Sequence, residues 1–206
     1  WDDPAVEGFL RRGEPVVLVG GCPITKHIVN KWTFSYLAAN YGDCETLPVH
    51  FAPRGTNQFN RFYGKGLGKG GVLTMNFKRF VALLKDNESR SSPNWRFYMQ
   101  APLLWQKGGI AALDTPDVDP KSLRTPLGEL QHMRMGKKVA RDLHDIDWAW
   151  LKRACDAARV GGLVSCSMWA GHGKGATPMH YDHMSNLFTK VRGRKRILLF
   201  APSQSQ

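Results

Sequence analysis

The chain has 206 residues, a length for one domain, and 42% of them are hydrophobic, including seven tryptophans, which is ample for a core. Its longest apolar runs, 16–22 and 196–202, are far too short to cross a bilayer, and no secretory hydrophobic region opens it. A net charge of +12 favours acidic partners, meaning nucleic acid, an acidic protein or an anionic small molecule. Four scattered cysteines (Cys22, Cys44, Cys155, Cys166) without a C-x-x-C spacing argue against a zinc knuckle or a disulfide framework and suit a reducing cytoplasm or nucleus. The chain opens on Trp1 rather than Met, so it is expected to be a piece of a longer protein.

Residues 3–13, DPAVEGFLRRG, predict a short helix: Asp3 caps it, Pro4 suits its first position, Val6, Phe9 and Leu10 share a face, and Gly13 ends it. PVVLVGG follows as a buried strand. In KWTFSYLAANYG, Phe34, Leu37, Ala38 and Tyr41 fall at i, i+3, i+4 and i+7, a helix that Gly42 stops. TLPVHFA predicts a strand, and MNFKRFVALLKDN a further helix through Phe77, Phe80, Val81 and Leu84. The intervening GLGKGG fits G-x-G-x-x-G but lacks a strand–turn–helix setting and reads as a flexible loop.

WRFYMQAPLLW alternates as a strand does. Residues 106–143, rich in turn formers, read as a long surface insertion. DIDWAWLKRACDAARVGG is a helix with acidic residues at its start and a Gly-Gly stop. From Leu163 the character turns to strands: LVSCSMWAG, then PMHYDHMSNLFTKVRG and RKRILLFAP, with Gly193 placed to join the last two as a hairpin. Helices and a few strands come first and an antiparallel strand-rich part follows, an α+β arrangement around a sandwich or barrel. The basic clusters at 134–141 and 190–196 lack interleaved aromatics and read on their own as solvated faces.

On a strand, residues two apart project to one side, so His180 and Asp182 stand together. Imidazole plus carboxylate is two thirds of the facial triad that holds non-haem Fe(II), and a third ligand must come from elsewhere. The pair alone decides nothing. His183 faces away from Asp182 and His172 sits in a glycine-rich loop, so both read as non-ligands.

TPMHYD followed by Asn186 and then VRGRKRILLFAPSQ resembles the JmjC, cupin-like family of Fe(II)- and 2-oxoglutarate-dependent oxygenases, with the best match in the branch of the asparaginyl hydroxylase that acts on hypoxia-inducible factor. KWTFSYLAANYGD, NFKRFVALL, WRFYMQ and DIDWAW resemble further elements of that branch, so nearly the whole chain is covered apart from 106–143. The resemblance implies a double-stranded β-helix (cupin or jelly-roll) core behind N-terminal helices, a single domain over 1–206 with the helical and strand portion at 1–162 and the start of the β-helix at 163–206. It implies His180 and Asp182 as iron ligands, Thr177, Lys195 and Tyr98 on the far carboxylate of 2-oxoglutarate, Asn186 and Trp169 lining that pocket, and Gln100 towards the substrate. A buried dicarboxylate needs such cation and hydroxyl donors.

The family takes its third ligand, a histidine, from a later strand, and no His follows His183 here. The closing strands and that ligand are therefore expected beyond Gln206, as is a C-terminal region through which relatives form homodimers. The implied activity is hydroxylation of a protein side chain; the net charge keeps RNA hydroxylation open, and the absent third ligand keeps open a cupin-like binding module without catalysis. Histone-lysine demethylation fits the branch less well. A cytoplasmic or nuclear location, without membrane attachment, is expected.

Overall fold

A computed structural model describes residues 4–19, 26–43, 47–53, 71–89, 95–106, 122–133, 138–171, 173 and 175–204. The helices are α1 (Pro4–Arg11), α2 (Lys26–Lys31), α3 (Phe34–Tyr41), α4 (Phe77–Ser89), α5 (Ala140–His144) and α6 (Trp148–Ala157). The strands are β1 (Leu47–Pro53), β2 (Gly71–Met75), β3 (Trp95–Gln106), β4 (Ser122–Thr125), β5 (Gly128–His132) and β6 (Ser165–Gly171). All six strands form one antiparallel sheet in the order β2-β1-β3-β5-β4, with β6 also paired to β3. The result is an α+β arrangement consistent with a jelly-roll core.

Local chemistry explains the helix boundaries. The Thr33 hydroxyl accepts from the Tyr36 N–H (3.0 Å) and so separates α2 from α3, a break that the continuous apolar periodicity of 31–42 hides. Asp147 caps α6 by accepting from the Trp150 N–H (2.8 Å). Asp3, the expected cap of α1, lies outside the described residues, as do Cys22, Cys44, His172 and the 66–70 part of GLGKGG; the last glycine of that motif opens β2, a strand that the loop reading did not anticipate.

Alternation along β3 divides the molecule. Phe97, Met99, Ala101 and Leu103 are buried and face α3 and α4, where Leu37, Tyr41, Phe77, Phe80 and Leu84 complete the core. The ring centroids of Tyr41 and Phe77 lie 6.1 Å apart and those of Phe77 and Phe80 5.8 Å, packing that fixes the two helices on one face of the sheet. Arg96, Tyr98 and Gln100 therefore point to the other face.

Three expectations need correction. Residues 15–19 form no strand, and Val17 and Val19 are 84% and 92% exposed, so the apolar run PVVL is not buried by any described element. The presumed insertion contains structure: β4 and β5 make a hairpin that joins the main sheet through β3, and α5 follows; Leu123, Leu127, Leu130 and Leu143 are the buried anchors that the turn-rich composition of 106–121 obscured. Finally, after β6 and an isolated bridge residue at Ala176, the chain runs over 177–201 outside the sheet. Gly193 turns the chain with φ +75°, but residues 178–193 and 194–202 make no ladder with each other or with any described strand.

Candidate active site

Tyr98 and Gln100 leave the sheet on the face opposite the helices, directly across from Gly171 and Trp169 of β6. The Tyr98 and Trp169 rings stack at 5.2 Å with an interplanar angle of 21°. Gly171 makes this stack feasible: a Cβ there would lie 2.6 Å from the Phe97 carbonyl oxygen and 2.8 Å from Tyr98 Cδ2. On the other flank His50 of β1 faces Tyr98 and is buried. Burial raises the Tyr98 phenol above its usual pKa, so it stays a neutral donor.

Lys195 arrives from the segment after β6. Its ammonium lies 3.5 Å from the Tyr98 hydroxyl and 4.6 Å from the centre of the Phe188 ring. Burial of the charged end lowers the Lys195 pKa, and the nearby charge of Lys190 adds to the effect, although much of the side chain is exposed. An ammonium and a phenol side by side against two aromatic rings make a receptor for a carboxylate. Phe188 was not picked out by the sequence; its place two residues beyond Asn186 is the one signal that marked it.

The second group is His180, Asp182 and Asn186. His180 Nδ1 sits 2.7 Å from the Pro178 carbonyl, which can only accept, so Nδ1–H donates there and leaves Nε2 turned towards Asp182. That Nε2 lies 3.7 Å from Asp182 Oδ1. The other carboxylate oxygen, Oδ2, accepts from the Asn186 amide at 2.7 Å. Tyr181 and His183 meet each other instead (ring centroids 5.0 Å), so the segment keeps strand-like alternation without being part of a sheet.

These two donors, each with its outer atom tied down, suit two coordination positions of one hard or borderline cation. A third does not join them: among the described residues no group of three His, Cys, Asp or Glu side chains converges. The donors are also open to solvent, with His180 at 39% and Asp182 at 59% side-chain exposure. Thr177 is exposed and its hydroxyl meets neither Lys195 nor Tyr98. A cavity of about 350 Å³ lined by Ala38, Ala39, Gly42, Asp43 and Lys78 involves none of these groups.

No helix among the described residues is long and apolar enough to cross a membrane. The model of the cupin-like domain, a JmjC-type domain, matches residues 4–206, which spans the helices, the sheet and both side-chain groups. By that match over nearly its whole length, the chain belongs to the cupin-like domain family.

Proposed function

We propose that the chain is an Fe(II)- and 2-oxoglutarate-dependent oxygenase that hydroxylates a protein side chain, and that it falls in the branch of the hypoxia-inducible-factor asparaginyl hydroxylase. The observation that carries this reading is the pairing of His180 Nε2 with Asp182 Oδ1, both outer atoms held, on the chain segment that also delivers Lys195 to Tyr98. His180 and Asp182 would hold Fe(II). Bound iron with 2-oxoglutarate supplies activation of dioxygen: the diacid is decarboxylated to succinate and carbon dioxide, one oxygen atom entering succinate and the other the substrate C–H bond.

The chain's own residues do the rest. Lys195 neutralises the far carboxylate and Tyr98 donates its O–H to the same group, with Thr177 as a further hydroxyl donor brought in on binding. Trp169 and Phe188 wall the carbon chain of the diacid and keep water from it. Asn186 orients the Asp182 carboxylate, and Gln100, across the ladder from Trp169, faces the incoming substrate. Turnover of 2-oxoglutarate to succinate with a peptide substrate, lost in Asp182→Ala, is the test; equal turnover by that variant would sink the reading.

A second reading keeps the metal and the diacid but changes the substrate to RNA, supported by the net charge of +12. RNA affinity that falls steeply with salt and with charge reversal at Lys137 and Lys138 separates the two. A third, a binding module without catalysis, is supported by the absence of a third converging ligand among the described residues. Stoichiometric iron with a spectral change on adding 2-oxoglutarate excludes it. A cytoplasmic or nuclear location and a homodimer remain part of the proposal.

A further inference from the structure

The segment that carries the site has no ladder of hydrogen bonds to hold it. From Thr177 to Ala201 its placement rests on side-chain tie points: Val191 packed against the core, Lys195 at Tyr98, and Arg192. Arg192 reaches back 160 residues. Its Nε donates to the Trp32 carbonyl at 2.9 Å and its Nη2 to the Asn30 carbonyl at 3.4 Å. Both carbonyls lie at the C-terminal end of α2, where backbone oxygens lack helical partners and the helix dipole is negative. A guanidinium fork can bridge two such oxygens at once.

The receiving end is itself anchored. Trp32 donates its indole N–H to Asp142 Oδ2 at 2.8 Å, Tyr36 donates its hydroxyl to the same oxygen at 2.8 Å, and Lys31 pairs with Oδ1. Asp142 is only 2% exposed, so α5 holds the α2–α3 junction through a buried carboxylate with all its partners in place. On the delivering side, Gly193 with φ +75° turns the chain straight after Arg192, two residues before Lys195. A fixed Arg192 therefore fixes where the Lys195 ammonium arrives.

We propose that Arg192 is a positioning residue for the co-substrate site: seated on the α2–α3 junction, it sets the Lys195 ammonium against Tyr98. The role rests on the oxygenase reading for its ligand, but the clamp itself is testable on the metal-free full chain. Limited chymotryptic cleavage at Leu187, Phe188 and Leu198–Phe200 should quicken about tenfold in Arg192→Ala while cleavage within β1 and β3 keeps the wild-type rate, and Arg192→Lys, which still donates to one carbonyl, should recover most of the resistance. In steady state the KM for 2-oxoglutarate should rise about tenfold in Arg192→Ala with kcat within twofold, because iron ligands are untouched. Wild-type cleavage rates within 187–200 of the alanine variant, or an equal increase throughout β1 and β3, overturn the clamp. Wild-type protein that binds no 2-oxoglutarate overturns the oxygenase reading and the positioning role with it, whatever the cleavage data show.

Discussion

His180 uses its two ring nitrogens for different tasks: one is occupied by the Pro178 carbonyl and the other is offered towards Asp182. Orientation of this kind is what outer partners contribute at metal sites, and their loss commonly costs tenfold to a hundredfold in affinity. Asn186→Ala should therefore weaken Fe(II) binding by roughly ten- to a hundredfold, measured by competition with a metal indicator, while the melting temperature hardly moves, because Asn186 is exposed. Lys195 gives a pH prediction. Its pKa is lowered, so as pH rises the ammonium is lost earlier than from an ordinary lysine; binding of a dianion needs the charged form. Affinity for 2-oxoglutarate should fall on the alkaline side, and Lys195→Met should bind weakly at every pH and lose that dependence, as titration calorimetry over a pH series would show.

The side-by-side placement of these residues was legible in the sequence for a definite reason. The x-His-x-Asp spacing and the Tyr98-x-Gln100 alternation survive whether the backbone is a paired strand or merely extended, since both place i and i+2 together. What the sequence did not carry was the pairing. Apolar composition made 178–193 and 194–202 look like strands, yet composition names no partner, and the two segments form no ladder with each other or with any described strand. Arg192 was invisible as well, because a guanidinium in a basic cluster looks like any solvated charge until the carbonyls 160 residues away are located.

Among the elements, α5 shows how a short helix can hold two others. Burial alone would raise the Asp142 carboxyl, but hydrogen bonds from Lys31, Trp32 and Tyr36 outweigh it and hold it below its ordinary value. A lowered folded-state pKa means stability that is present above the unfolded value and lost as pH falls through the folded one. The tie between α5 and the α2–α3 junction should thus weaken as pH falls through the lowered Asp142 value. Asp142→Ala should cost on the order of 3 kcal/mol, read from denaturant midpoints, and flatten the acid limb of the stability profile. The strand β6 offers a sharper case. Gly171→Ala drives a methyl into the Phe97 backbone carbonyl as well as the Tyr98 ring, so the β3–β6 ladder must shift and both the melting temperature and 2-oxoglutarate affinity should fall. A thermal scan beside calorimetric binding checks both; an unchanged melting temperature would show that the ladder absorbs the methyl.

At the scale of the molecule, two apolar runs face solvent. Ile197, Leu198, Leu199 and Phe200 are 53–67% exposed, and Val17 and Val19 more so. Contiguous exposed apolar side chains promote association. The 206-residue chain should self-associate with rising concentration in sedimentation experiments, and Ile197→Asp with Leu199→Asp should suppress this without lowering the melting temperature, since neither side chain contributes to the core.

The pairing of β3 with β6 has a consequence for the clock of folding. Its partners stand 60 to 73 residues apart in the chain, from Trp105 with Ser165 to Tyr98 with Gly171. Closing so large a loop costs entropy before any contact repays it, which places this ladder among the slow, non-local steps of refolding. The phenol of Tyr98 gains its indole neighbour only when that step is done, so the pocket proposed for the diacid should be among the last features to mature as the polypeptide refolds.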